Sequence, residues 1–389
     1  MKHINQLVGT AFAIMVTATS YACNLKAQEP ENTTLITSTL SEKPVKQYVK
    51  IALLLDTSNS MDGLINQAKA QLWDIVNEFT HAKCGNDSRP LLQIALYEYG
   101  NDHLSAREGY IRQVLGFSDD LDEISEKLFS LTTNGGEEYC GEVIHTSLKQ
   151  LEWGKNADDL KMIFIAGNEP FDQGRLNYKD ASTNAKEKDV IVNTIFCGNY
   201  EQGINTHWKS GAVLTGGDYM AIDHNRQVVH IATPYDDIII QLNAKLNNTY
   251  VSYGSAGYAK KELQAAQDAN AAELEEAVVV KRAVSKSSRL YKNSQWDLVD
   301  AVEDDEAALS KIKDQDLPSE LRGKSKKEIS EYISLKKEER EKIQRQIQEL
   351  NTKREVYIAE HQKEEAGELE NAMLSAIKAQ ASKKNYKWD

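Results

Sequence analysis

The sequence contains 389 residues, which is enough for one large domain with an appendage or for two domains. Hydrophobic residues make up 41% of the chain and can form a sizeable core, while 27% of the residues are charged. The net charge of −13 argues against a nucleic-acid-binding protein, because no basic surplus exists to neutralise phosphates. The same charge argues against electrostatic docking to anionic lipid.

The N-terminal segment has the pattern of a secretory signal. A basic start precedes an apolar stretch over residues 7–17, which is too short to span a membrane comfortably. The sequence Ser-Tyr-Ala-Cys ending at Cys23 resembles a relaxed bacterial lipobox, with Cys23 as the lipidated residue. The alternative is ordinary signal-peptidase cleavage near Ala22 or Ala27. We expect a signal peptide over residues 1–22, a polar tether over residues 23–47, and export to the periplasm or outer membrane.

Residues 49–250 alternate between strand-like and helix-like patterns. Near-continuous apolar runs such as residues 162–165 are expected in a parallel sheet that helices cover on both faces. The predicted strands are residues 49–56, 91–99, 110–117, 161–166, 190–196 and 218–222, with a possible edge strand over residues 227–231. The predicted helices are residues 61–79, 120–131, 138–151, 178–187, 203–210 and 236–248. This order predicts a doubly wound α/β domain with a mainly parallel sheet over residues 48–251.

The rest of the chain has a different composition. After a hinge-like segment over residues 252–257, the charged residues 258–389 predict an all-helical C-terminal region. Ile343, Leu350 and Tyr357 repeat every seven residues, which covers barely two heptads of a coiled coil. We expect these helices to pack on each other or on the sheet domain.

The most informative motif is Asp-Thr-Ser-Asn-Ser over residues 56–60, which follows the apolar run 51–55. One carboxylate and two hydroxyls thus lie on a tight turn between a strand and a helix. These oxygen atoms are ligands that Mg²⁺ and Ca²⁺ prefer. The turn also lies at the carboxyl edge of a strand, where open α/β sheets bind ligands.

The strand, this turn and the following helix resemble the first motif of von Willebrand factor type A domains, over roughly residues 48–250. The segments 95–101 and 164–171 resemble an uncharacterised exported bacterial branch of that family. The resemblance implies a metal-ion-dependent adhesion site with three parts: the turn, a Thr from a second loop, and an Asp after the fourth strand. It also implies that one coordination position is open for an acidic residue of a partner.

Two parts of that site depart from the family pattern. Glu137 stands where the Thr is expected, and Gly167 stands where the Asp is expected, so that Asn168 or Glu169 would have to supply oxygen. We therefore predict a variant site that binds Mg²⁺ or Ca²⁺, with the larger anionic ligand set favouring Ca²⁺. Its predicted ligands are Asp56, Ser58, Ser60, Glu137, Asn168 and Glu169. The alternative is that the metal is lost and that the residues of the turn cap the first helix.

Three cysteines follow the predicted signal segment. Cys140 and Cys197 are both expected at the carboxyl edge of the sheet, whereas Cys84 is expected at the opposite edge. We predict a Cys140–Cys197 disulfide and a free Cys84, and the alternative is three free buried thiols.

The sequence contains no recognisable catalytic set, since its histidines are dispersed and it has no glycine-rich phosphate loop. We therefore expect a non-enzymatic adhesion module at the cell envelope, whose partner is a protein that presents an acidic residue. The alternative is a scaffold subunit of an envelope assembly, with a metal-free domain and contacts through the C-terminal helices. Metal-assisted hydrolysis at Asp56 and Glu169 is a third hypothesis, for which no base or nucleophile is identifiable.

Overall fold

The computed structural model describes residues 46–59, 61–223, 225, 230–361 and 368–388, and these residues form one compact unit. The predicted signal peptide, the lipidation site Cys23 and the motif residue Ser60 lie outside the described residues, as does most of the possible strand 227–231. Among the residues that are described, no helix is long and apolar enough to cross a membrane.

Within the described residues, a six-stranded sheet forms the centre of the fold. Its strands are β1 (Tyr48–Asp56), β3 (Leu91–Tyr99), β4 (Ile111–Ser118), β5 (Leu160–Gly167), β6 (Ile191–Cys197) and β7 (Tyr219–Ile222). Their order is β4-β3-β1-β5-β6-β7, and only β4 runs antiparallel to its neighbour. The two central strands β1 and β5 are almost wholly buried, as expected for apolar runs covered on both faces.

In the described part of the chain, six helices lie between these strands and a seventh follows β7. They are α1 (Asp62–Thr80), α2 (Leu121–Phe129), α3 (Cys140–Gln150), α4 (Tyr178–Glu187), α5 (Tyr200–Asn205), α6 (Trp208–Val213) and α7 (Asp236–Asn247). Helices α3, α4 and α6 cover one face of the sheet, and α1, α2 and α7 cover the other. The predicted doubly wound α/β fold is therefore confirmed. The predicted helix 203–210 is instead divided into two short helices, because His207 adopts a left-handed backbone with φ of 72°.

The remaining elements form a helical layer on the α1–α2–α7 face. They are α8 (Gly257–Leu274), α9 (Glu276–Lys286), α10 (Leu298–Asp304), α11 (Ala308–Lys311), α12 (Lys326–His361) and α13 (Glu368–Ser382). A last strand, β8 (Lys387–Trp388), pairs with β2 (Ala82–Lys83), and three short 3₁₀ helices occupy Gly85–Asp87, Ala106–Glu108 and Asp314–Asp316. Apolar side chains of α9, α12 and α13 belong to the same buried cluster as those of β1 and α1. The sheet and the helical region therefore share a core.

A buried cation attaches α9 to this core. Arg282 is fully buried and forms ion pairs with Asp122 of α2 (Nη2 to Oδ1, 2.8 Å) and Asp268 of α8 (Nε to Oδ1, 2.6 Å). Its guanidinium also lies 4.9 Å from the ring of Trp73 in α1. Buried charges require such partners, because an unpaired one loses its hydration without compensation.

A second buried cation attaches α12. Arg340 Nη1 lies 2.7 Å from a carboxylate oxygen of both Asp297 and Asp300, and its Nε donates to Thr249 Oγ1 at 3.0 Å. Its guanidinium also stacks 4.0 Å from the ring of Tyr250. The heptad-like positions of this helix thus pack within the same chain, against α7, α9 and α10.

The structure corrects the predicted Cys140–Cys197 disulfide. Both thiols are free and buried, as is that of Cys84. Cys140 belongs to the core on the α3 side of the sheet, whereas Cys197 belongs to the core on the α1 side. Both residues are at the carboxyl edge, but the sheet separates their side chains. Burial raises the pKa of both thiols well above its usual value.

We expect Arg282→Met to lower the free energy of unfolding by about 3–5 kcal/mol, because two carboxylates lose their buried partner. Urea denaturation would measure this change. The matched control is Arg345→Met on the outer face of α12, where the side chain is 67% exposed, and it should change stability by no more than about 0.5 kcal/mol. Equal stabilities of the two variants would contradict the proposed role of the buried ion pairs.

Candidate functional site

The first element of the site is the turn that follows β1. Asp56 ends this central strand and is fully buried, and its Oδ1 accepts a hydrogen bond from the Ser58 N–H at 2.7 Å. The next residue, Thr57, donates its backbone N–H to the Tyr99 carbonyl at the end of β3 (2.9 Å). The turn is therefore held against the neighbouring strand, with its carboxylate pointing inward.

The second element is the loop between α2 and α3, which lies directly on this turn. The Thr57 carbonyl accepts hydrogen bonds from the Asn134 N–H (2.9 Å) and from Asn101 Nδ2 (3.3 Å). Asn101 also donates to the Thr132 carbonyl at 2.9 Å. These bonds fix the loop where its next residues reach the buried Asp56.

Glu138 is the residue of this loop that meets Asp56. It is only 4% exposed, and its carboxyl group lies within hydrogen-bonding reach of the Asp56 carboxyl group. Gly100 lies beside both side chains. A Cβ added to Gly100 would lie 2.8 Å from Glu138 Cγ and 2.9 Å from Asp56 Oδ1. Because Gly100 also has a φ of 80°, this close approach requires glycine.

Three oxygen atoms in this region are buried without a hydrogen-bond donor in the described part of the structure. They are Asp56 Oδ2, Glu138 Oε2 and Asn168 Oδ1. Each such atom costs about 1–3 kcal/mol when nothing compensates for its lost hydration. These oxygen atoms therefore require a shared proton, a water molecule or a cation as a partner.

The charges of the two acids strengthen this requirement. Burial, followed by the negative charge of Glu138, raises the pKa of Asp56 well above its usual value. Burial also raises the pKa of Glu138, although hydrogen bonding to Asp56 and Ser58 partly opposes the rise. A proton shared between the two carboxyl groups can satisfy the pair, and a divalent cation between them can do so too.

The structure brings some of the predicted ligands together and separates others. Asp56 and Ser58 lie in the buried turn, and Asn168 directly follows β5, the strand next to β1. Glu137, in contrast, is exposed, and its neighbour Glu138 takes the predicted position. Glu138, rather than Glu137, therefore has its side chain buried beside Asp56.

The side chain of Glu169, another predicted ligand, lies at the surface. The residue is exposed, and its carboxylate accepts a hydrogen bond from Gln173 (3.2 Å). In the second loop, Thr133 Oγ1 donates to Asp62 at 2.7 Å, and Thr132 is exposed. Neither threonine therefore replaces the one that the family pattern leads us to expect.

The glycine at position 167 has a structural cause. A Cβ on Gly167 would lie 2.5 Å from the hydroxyl oxygen of Tyr99 and 3.3 Å from Asp56 Cβ. The Tyr99 hydroxyl is buried there and donates to the Ala166 carbonyl at 2.9 Å. Tyr99 thus fills the space that an aspartate side chain would need, and the acidic group comes from Glu138 on the opposite loop.

The residues present fit a hard divalent cation through two carboxylates and neutral oxygens such as Ser58 Oγ and Asn168 Oδ1. No group of three or more His, Cys, Asp and Glu side chains surrounds a common point in the part of the chain that is described. The helix-cap alternative receives no support from α1, since its N-cap residue is Met61, which makes no side-chain capping bond.

Residues 50–206 match the family model of the von Willebrand factor type A domain, whereas no curated protein matches the chain. One similar fold is proximal thread matrix protein 1 from the mussel byssus with a zinc-occupied MIDAS motif (16% identity, 46% of this chain and 43% of that chain, TM-score 0.35). Another is the conserved hypothetical protein BatB from Bacteroides thetaiotaomicron (16% identity, 45% of this chain and 90% of that chain, TM-score 0.34).

A third similar fold is the pilus adhesin SpaC from Lactobacillus rhamnosus GG (13% identity, 47% of this chain and 28% of that chain, TM-score 0.34). The aligned part is thus less than half of the mussel protein and of the adhesin. The segment 50–206, which is less than half of the chain, is a von Willebrand factor type A domain.

Proposed function

We propose that this protein is a non-enzymatic binding module of the cell envelope that recognises an acidic side chain of a partner protein at a variant metal site. The observation that carries the proposal is the buried pair Asp56 and Glu138, whose inner oxygens have no donor in the described structure. Two carboxylates facing each other out of water repel, unless a positive charge lies between them.

In this proposal Asp56, Ser58, Glu138 and Asn168 hold Mg²⁺ or Ca²⁺, together with Ser60, which lies outside the described residues. A bound divalent ion would supply an open coordination position for a carboxylate of the partner. The chain's own residues orient the site: Thr57 is held to Tyr99, and Asn101 holds the second loop against the turn. Glu137 and the Glu169 carboxylate are not ligands in this proposal.

The envelope location is proposed from the N-terminal sequence alone, through a signal peptide and possible lipidation at Cys23. The second candidate function is a metal-free scaffold, and one observation favours it. The raised pKa values of Asp56 and Glu138 allow one shared proton to neutralise the pair without a metal.

Isothermal titration with Ca²⁺ and with Mg²⁺ separates these two functions. We expect the wild type to bind at least one of these ions, and Asp56→Ala and Glu138→Gln to lose at least tenfold in affinity, because each variant removes a charged ligand. Glu137→Gln is the matched control, since it makes the same change one residue away on an exposed side chain. Absence of binding to the wild type would leave the scaffold function.

The metal-free stability of the same variants gives an independent measurement. In EDTA at pH 7, we expect Glu138→Gln to raise the free energy of unfolding by about 1–3 kcal/mol, since it removes one of two repelling buried acids. Because folding raises the pKa values of this pair, its cost appears as the pH rises above the usual carboxyl range. The difference from wild type should therefore shrink towards pH 4.

Urea denaturation at pH 4 and at pH 7 would measure this dependence. Glu137→Gln should leave stability within about 0.5 kcal/mol of wild type at both pH values. If Glu138→Gln were less stable than the wild type at pH 7 in EDTA, repulsion between the two acids would not be the dominant effect.

A further inference from the structure

A pocket of about 350 Å³ lies next to the metal site and plays no part in the function proposed above. Its walls include Arg107 and the acidic Glu108 from the loop between β3 and β4, Tyr139 and Glu142 at the start of α3, and Arg175 from the loop after β5. Tyr139 directly follows Glu138 in the chain, so the pocket is connected to the proposed metal site through the backbone. A second hollow of about 470 Å³ shares the wall residue Glu108 with this pocket and extends it along α3.

One wall of the pocket is rigidly built around Glu142. Its Oε1 accepts hydrogen bonds from the backbone N–H groups of Arg175 (2.5 Å) and Leu176 (3.0 Å). Gly174 has a φ of 98°, and a Cβ on it would lie 2.5 Å from Glu142 Oε2. The loop therefore wraps around a carboxylate and presents the Arg175 side chain at the pocket.

The wall that contains Gly109 has a strained backbone, and a hydrogen bond connects this segment to the proposed metal site. Gly109 and Tyr110 have consecutive left-handed conformations, with φ of 77° and 56°, and this backbone is costly for a tyrosine. It places the Tyr110 ring edge-on to the ring of Tyr139, with centroids 6.0 Å apart. The Tyr110 carbonyl accepts from the N–H of Gly100, the residue that separates Asp56 from Glu138 (3.1 Å).

The groups that line the pocket define the chemistry of a ligand. Arg107 and Arg175 are exposed, and neither forms an ion pair within the described parts of the chain, so both guanidinium groups can bind a carboxylate. The Glu142 Oε2 atom is buried without a donor and needs an N–H. A peptide in an extended conformation with an acidic side chain supplies the carboxylate for the guanidinium groups and a backbone N–H for Glu142 Oε2. A polyanion such as nucleic acid is disfavoured by the net charge of −13.

We propose that this pocket binds a second acidic side chain of the same partner segment, so that the protein recognises an extended peptide with two acidic residues. The inference rests on the proposed function, which assigns the first acidic residue to the metal site. Alternate residues of an extended peptide point to the same side and are about 7 Å apart, so one short segment can present two acidic side chains to one surface. The Arg107 and Arg175 side chains then act as specificity-determining groups.

The test uses a displayed library of random twelve-residue peptides as the probe, selected on the full mature protein in Ca²⁺ and then in Mg²⁺. We expect the enriched peptides to contain two acidic residues separated by one or a few positions. Binding of a labelled enriched peptide, followed by fluorescence anisotropy, should weaken about tenfold in Arg107→Ala and in Arg175→Ala. The control Arg345→Ala, on the outer face of α12, should bind like wild type.

Each outcome decides between the two proposals. Failure to enrich acidic peptides, or unchanged binding in both arginine variants, would overturn the role of the pocket. If the arginine variants bind weakly while Asp56→Ala and EDTA have no effect, the pocket is supported and the metal-site function fails. If only Asp56→Ala and EDTA abolish binding, the metal-site function stands and the inference on the pocket is wrong.

Discussion

The fold depends on positive charge that is buried between the sheet domain and the C-terminal helical region. Arg282 brings a guanidinium into a region that also contains Asp122 from the sheet domain and Asp268 from the helical region, so neither half can separate without exposing an unpaired charge. Arg340 imposes the same constraint on the long helix α12. Since α9, α12 and α13 also complete the apolar core on one sheet face, the charged C-terminal region is part of the folded domain rather than a free stalk.

At the carboxyl edge of the sheet the buried charge is negative. There the chain buries negative charge without a side-chain cation among the described residues: Asp56 and Glu138 converge at Gly100 and keep inner oxygens unbonded. Asp268, Asp297 and Asp300, in contrast, are each paired with an arginine or a lysine. The contrast indicates that the Asp56 region is built for an external positive charge or a retained proton, and it gives the functional proposal its physical basis.

Strands and helix order could be predicted from the sequence, because long apolar runs such as β1 and β5 have few alternatives in a chain of this size. The turn at Asp56 could be predicted for the same reason, since it directly follows such a run. Which acidic residue lies beside Asp56 could not be predicted, because Glu137 and Glu138 are neighbours that differ only in the side of the loop to which their side chains point. The opposite-face placement of Cys140 and Cys197, and the occupation of the space beside Gly167 by Tyr99, depend on side-chain packing across the sheet and leave no periodic signal.

Strand β1 also determines how the molecule would be presented at a surface. Its nine residues cover about 26 Å from Tyr48 to Asp56, so the chain enters the sheet at the edge remote from the acidic pair. The C-terminal strand β8 lies at that same remote edge, where the Tyr386 hydroxyl donates to the Tyr48 carbonyl at 3.3 Å. Immobilisation or fusion through either of these positions would leave the opposite end, with the proposed binding site, facing outward and unobstructed by the linker.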